Sequence, residues 1–208
     1  MVKVTGPASS NEASGSINKT HVHSTWKGRN YVRTNQTPRD PKSDDQVSLR
    51  AMWKWLSEMW STLTGDEQAT WLSIANDETF SPANAFLQFN QTEWSNFQAP
   101  SKTFPADRDD PLPAKTLWTA SGEIHHAVLL SRLGAFGSNW GRILFRGPTG
   151  FSPSPANAIA IVTMDVRNEL VTYLDQPLEA GVYFYNARNF GADGRMSGNL
   201  GERMVTVT

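Results

Sequence analysis

The chain has 208 residues, no cysteine and a net charge of −1. Disulfide staples, thiolate nucleophiles and thiolate zinc sites are therefore excluded, and no global field draws the chain to nucleic acid or membrane. Hydrophobic residues make up 38%, supplemented by eight Trp and ten Phe, which suffices for two modest cores rather than one large one.

Residues 1–20 are rich in Ser, Gly, Asn and Thr, and a segment of that composition reads as a flexible arm. His21 to Arg33 alternates in part, with Val22, Trp26, Tyr31 and Val32 among polar groups. This predicts a short hairpin turning at Lys27-Gly28. Pro38 and Pro41 impose an extended crossing. A helix follows, capped by Ser43 or Asp44, with Asp45 in its first turn where the dipole favours a carboxylate. Leu49, Met52, Trp53, Leu56, Met59, Trp60 and Leu63 recur at helical spacing and predict its buried stripe, with Trp55 lying off it. Thr64-x-x-Glu67 has the form of a capping box and opens a second helix carrying Ala69, Trp71, Leu72 and Ala75. Ser81-Pro82 opens a third, with Ala85, Phe86, Phe89 and Trp94 on one face. Residues 99–115 contain Pro100, Pro105, Pro111 and Pro113 among Asp107, Arg108, Asp109 and Asp110 and read as a stiff, solvated linker. Beyond it the pattern alternates. Strands are expected near 116–119, 124–132, 140–146, 157–164, 169–174, 181–188 and 202–207, which together predict an antiparallel sandwich.

The chemistry-bearing residues do not converge. His21 and His23 would share a strand face and need a third metal ligand. His125 and His126 are adjacent and would point to opposite faces. No G-x-S-x-G, phosphate loop or G-x-G-x-x-G is present. Asp107, Asp109 and Asp110 sit in the Pro-rich segment, which is a poor frame for catalysis, and Asp165 stands apart. The expectation is a non-enzymatic protein with no catalytic residues, no metal site and no cofactor. Charge is unevenly placed. Residues 1–60 hold nine Lys and Arg against five acids, which leaves the front at +4 and the remainder at −5.

Residues 28–90 resemble a group of small proteins of phage and prophage gene sets. The resemblance rests on Gly28-Arg29-Asn30-Tyr31-Val32-Arg33, then Pro38, Pro41, Ser43, Gln46 and Arg50, then Trp60, Leu63, Thr64, Gln68 and Trp71, then Asn84, Phe86 and Asn90. The helical part also resembles, more distantly, an HMG box. Leu178 to Ala187 resembles the corner and strand of a fibronectin type III or Ig-like domain, with Ala180 where proline is usual. That resemblance implies a tyrosine hydroxyl bonded back to the backbone, and an early tryptophan supplied by Trp118 or Trp140.

The expected fold class is α+β: an N-terminal three-helix module with a basic extended arm and a C-terminal antiparallel β-sandwich. The expected divisions are a basic arm and hairpin at 1–42, helices at 43–98, a linker at 99–115 and the sandwich at 116–208. The resemblances imply a virion structural protein, decorating a capsid or associated with a tail. It would be made in a host cytoplasm without signal peptide or membrane span, in a multi-copy assembly with other virion proteins. Lys27, Arg29, Tyr31, Arg33 and Trp55 are the candidate lattice contacts. Two other functions compete. One is an accessory protein reading DNA with the basic arm and HMG-like helices. The other is a carbohydrate-binding surface protein using Trp140, Tyr183 or Tyr185.

Overall fold

The structure, a computed structural model, describes residues 15–17, 21–26, 29–34, 43–78, 80–112, 117–132, 139–164 and 170–208. The chain divides into two compact units, Met1–Pro41 and Lys42–Thr208.

In the first unit, β1 (Gly15–Ile17), β2 (His21–Trp26) and β3 (Arg29–Thr34) form an antiparallel sheet in chain order. Trp26 pairs with Arg29, so β2 and β3 are antiparallel neighbours as the hairpin reading expects, while its turn residues Lys27 and Gly28 lie outside the described residues. The expectation of an arm without structure through residue 20 fails at Gly15–Ile17. These residues pair with His21–His23, so the β2 edge satisfies backbone groups that their composition could not.

In the second unit, helices α1 (Asp44–Trp60), α2 (Gly65–Ala69), α3 (Leu72–Glu78) and α4 (Pro82–Ser95) precede seven strands. The expected second helix is divided at Thr70 and Trp71. Ser43 takes the α1 N-cap position without a side-chain bond, leaving Asp44 and Asp45 to face the helix dipole. The Thr64–Glu67 capping box and the Ser81–Pro82 start form as expected.

The strands are β4 (Leu117–Glu123), β5 (His126–Arg132), β6 (Asn139–Gly147), β7 (Ala158–Thr163), β8 (Leu170–Asp175), β9 (Gly181–Gly191) and β10 (Arg203–Val207). They make two antiparallel sheets, β4-β5-β8 and β10-β9-β6-β7. The fold is α+β, with a C-terminal sandwich of the expected Ig-like kind. Tyr183 donates its hydroxyl to the Glu179 carbonyl at 2.9 Å, closing the tyrosine corner. Trp118, not Trp140, lies in the sandwich interior, where its Nε1 donates to the Gly201 carbonyl at 3.0 Å.

The helices lie on the outer face of the four-stranded sheet, giving three layers and two cores. Trp118, Leu129, Leu144, Tyr185, Ala187 and Val205 pack between the sheets. Met52, Trp55, Leu56, Trp71, Phe86 and Trp94 pack with Trp140, Ile143, Phe145 and Phe190 between helices and sheet. β6 and β9 are thus buried on both faces.

Residues 99–112 do not form the expected solvated linker. Ala99, Ser101 and Leu112 are buried. Backbone amides of Lys102, Asp107 and Leu112 donate to the carbonyls of Ala192, Asp193 and Met196, so the segment pairs along the β9–β10 connection. The prolines stop helix formation but leave enough donors for this seam.

Candidate functional site

Several motif residues of the helical part of the resemblance serve the fold. Gln68 Nε2 donates to the carbonyls of Trp60 and Leu63, tying α2 to the end of α1. Trp71 Nε1 donates to the Lys102 carbonyl at 2.8 Å. Asn90, fully buried, donates to the Ser101 carbonyl at 3.1 Å and accepts the Ser101 amide at 2.8 Å. Trp94 Nε1 donates to Ser48 Oγ at 3.1 Å and joins α4 to α1.

Trp55 is corrected as a candidate lattice contact. It is 4% exposed, 4.6 Å from the Trp140 ring and 5.2 Å from that of Phe190. Its Nε1 donates to Thr163 Oγ1 at 3.0 Å. The sheet takes the α1 face centred on Met52, Trp55 and Leu56, so Trp55 contacts another element of the chain. Arg29, Tyr31 and Arg33 occupy alternate positions of β3, paired with Trp26, Ser24 and Val22. Lys27 lies outside the described residues.

Of the three sandwich aromatics, Trp140 and Tyr185 are internal, whereas Tyr183 is half-buried and engaged in the tyrosine corner. Trp140 is buried against the helices, and Tyr185 is buried with its hydroxyl on Asp175 Oδ2 at 2.9 Å. Arg146 completes that cluster at 2.7 Å from the same oxygen. Arg142, fully buried, donates from Nε to Asn189 Oδ1 at 2.8 Å, and desolvation lowers its pKa to about 10. These groups are bonded among themselves and hold the sandwich together. His125 stands in the β4–β5 turn at φ 60°, rather than on the expected strand, while His126 lies 3.2 Å from Glu123. Among the described residues no three His, Cys, Asp or Glu side chains gather where they could hold a metal. Asp165 lies outside the described residues.

A groove between α1 and α4 is left open. It has a volume of about 500 Å³ and is lined by Trp53, Phe80, Asn84, Gln88, Gln91, Thr92 and Ser95. Leu49 and Arg50 extend it along α1. Its position follows from the helical period. Trp53 is roughly 200° around α1 from Trp55, so the helix that buries Trp55 must expose Trp53. On α4, Ala85, Phe86, Asn90 and Trp94 turn inward, and residues 84, 88, 91, 92 and 95 form the opposite stripe. Trp53 is 51% exposed, Leu49 41% and Phe80 39%, contrary to the expectation that Leu49 and Trp53 belong to the buried stripe. Three large apolar side chains around one groove are more than scattered surface hydrophobics.

Among the described residues the groove is lined by amides and hydroxyls with no carboxylate, and by Arg50 as its one cation. Thr92 and Ser95 donate their hydroxyls to the carbonyls of Gln88 and Gln91, leaving oxygen lone pairs outward. The signal missed in the sequence was the polar, uncharged stripe of α4 opposite its aromatic one.

No family model matches the chain, and no curated protein matches it. No helix among the described residues is long and apolar enough to cross a membrane. Among solved structures, a Fn3-like protein from Clostridium thermocellum matches 44% of this chain and 88% of its own, with 19% sequence identity and a TM-score of 0.34.

Proposed function

We propose that this protein is a non-enzymatic structural component of a tailed-phage-like particle, attached to the particle lattice through its N-terminal part and carrying the sandwich body as decoration. The observation behind this reading is the partition of charge between the two units. Met1–Pro41 holds six basic residues (Lys3, Lys19, Lys27, Arg29, Arg33 and Arg39) against Glu12 and Asp40. With the whole chain at −1, the body from Lys42 onward carries −5. A basic unit joined to an acidic body suits attachment to an acidic neighbour, with the charge steering the encounter. The N-terminal resemblance to phage and prophage proteins points the same way.

The test is a density gradient of particles from the producing culture, with this protein quantified in each fraction. Co-migration at a fixed ratio to the main shell protein is expected, and the double variant R29E/R33E should move to the soluble fraction. A wild-type protein found only in the soluble fraction overturns the reading.

The run from Lys19 to Arg39 contains five basic residues and no acid, which favours DNA as a second partner. That reading requires affinity falling steeply with salt, by about 0.9 decades per decade of salt for each neutralised phosphate. Salt-insensitive binding, or none, sets it aside.

A further inference from the structure

We propose that the groove between α1 and α4 binds a neutral oligosaccharide, a run of hexose rings, with Trp53 as the stacking platform. The proposal concerns the body alone and does not depend on particle assembly.

Trp53 is set apart from its neighbours. Trp55, Trp71, Trp94, Trp118 and Trp140 are buried, while the indole of Trp53 is half in water beside Leu49 and Phe80. An indole face is electron-rich, and the axial C–H face of a hexose is weakly positive and apolar, so the two stack.

The opposite wall has the complementary chemistry. Asn84 and Gln88 are exposed, and their side-chain amides make no hydrogen bond with any described residue. An amide presents a donor and an acceptor in one plane, and a pair of neighbouring sugar hydroxyls presents the same two functions in return. Thr92 and Ser95 add acceptor oxygens on the same stripe.

Charge excludes the main alternatives. A phosphate chain needs several cations, and among the described residues Arg50 is the single cation lining the groove. An apolar partner helix would cover the amides of Asn84 and Gln88 and leave them unsatisfied. A neutral polyhydroxyl ligand satisfies them while covering the indole. The volume of about 500 Å³ is that of a small-ligand site.

The test is an array of neutral hexaoses of glucose, mannose, galactose and N-acetylglucosamine, probed with the full-length protein. Each hit is then titrated by calorimetry. A dissociation constant below about 1 mM is expected for at least one class. W53A should weaken it at least about tenfold, through lost stacking and area, and N84A/Q88A should weaken it several-fold. Both variants should keep the wild-type unfolding midpoint, because these side chains are exposed. W53F should retain part of the affinity. Failure of every neutral hexaose to bind overturns the proposal, as does binding that W53A leaves intact or binding confined to anionic glycans. Capture of a polypeptide by this groove, lost in W53A, also overturns it.

Discussion

The ring of Trp55 lies 4.6 Å from that of Trp140, tilted by 58°. This contact joins the helical layer to the outer face of the sandwich. Truncation of Trp55 to Ala should lower the unfolding free energy by about 3–5 kcal/mol, through lost burial and an unfilled cavity. W55F keeps a ring but removes the donor to Thr163 and should cost about 1 kcal/mol beyond the change in size. In equilibrium urea unfolding of the wild type, the helical circular-dichroism signal and tryptophan fluorescence should change in one coincident transition. Helices that melt before the sandwich would contradict a shared core.

The sandwich was legible because its strands alternate and its turns carry Gly, Pro and Asn. The orientation of α1 was not. Leu49, Trp53 and Trp60 recur at the same period as Met52 and Leu56, so α1 is apolar on more than one face, and period alone cannot say which face is covered. The better clue lay in β6. Trp140 to Phe145 is buried at every position, and such a strand needs a layer on each side. That layer requires Trp55 inward and therefore Trp53 outward, which creates the groove. The packing of residues 99–112 was hidden for a different reason. It depends on Asn90, which is eleven positions away from its partner Ser101, and no local pattern announces such a pair.

Asn90 acts there as a piece of β-ladder, exchanging two hydrogen bonds with the Ser101 backbone in a fully buried setting. N90A leaves a buried carbonyl and a buried amide without partners. The expected loss is about 2–4 kcal/mol. Hydrogen exchange at the Ser101 amide should accelerate more than exchange in β5. Equal acceleration everywhere would mean that Asn90 stabilises the body without holding this segment.

Tyr185 gives a pH signature. Burial, and then the Asp175 carboxylate on which its hydroxyl rests, push its pKa well above the ordinary phenol value, and Tyr173 shifts the same way for the same two causes. In the unfolded chain both phenols ionise near pH 10. Their contribution to stability is therefore complete below about pH 10 and declines as pH rises beyond it. Arg142 acts in the opposite direction, because burial lowers its pKa to about 10. Y185F isolates the tyrosine effect, and its stability should fall less steeply above pH 10 than that of the wild type. In the wild type the phenolate absorbance of Tyr185 should emerge only with unfolding. A phenolate formed in the folded state would remove Tyr185 from the buried cluster.

Gly122 sets the closure of the sandwich. It sits on β4, and a Cβ built there would overlap the Thr206 carbonyl oxygen on β10 and approach Val205 Cγ1 to 3.0 Å. The obstacle is backbone, so no side-chain rotation relieves it. Just beyond, the His125 amide donates to the Thr208 carbonyl at 3.1 Å, and the Thr208 amide donates to the Glu123 carbonyl at 3.3 Å. G122A should force β10 away from β4, break this pair of bonds and lower stability by about 2 kcal/mol or more. Gly65 is the control, since nothing stands within 4 Å of a Cβ there. As the first residue of α2, G65A should be neutral or stabilising by up to about 1 kcal/mol. Amide exchange at His125 and Thr208 separates the cases: fast in G122A and unchanged in G65A. A G122A variant with wild-type exchange at both amides would show that β10 is held by its pairing with β9 alone.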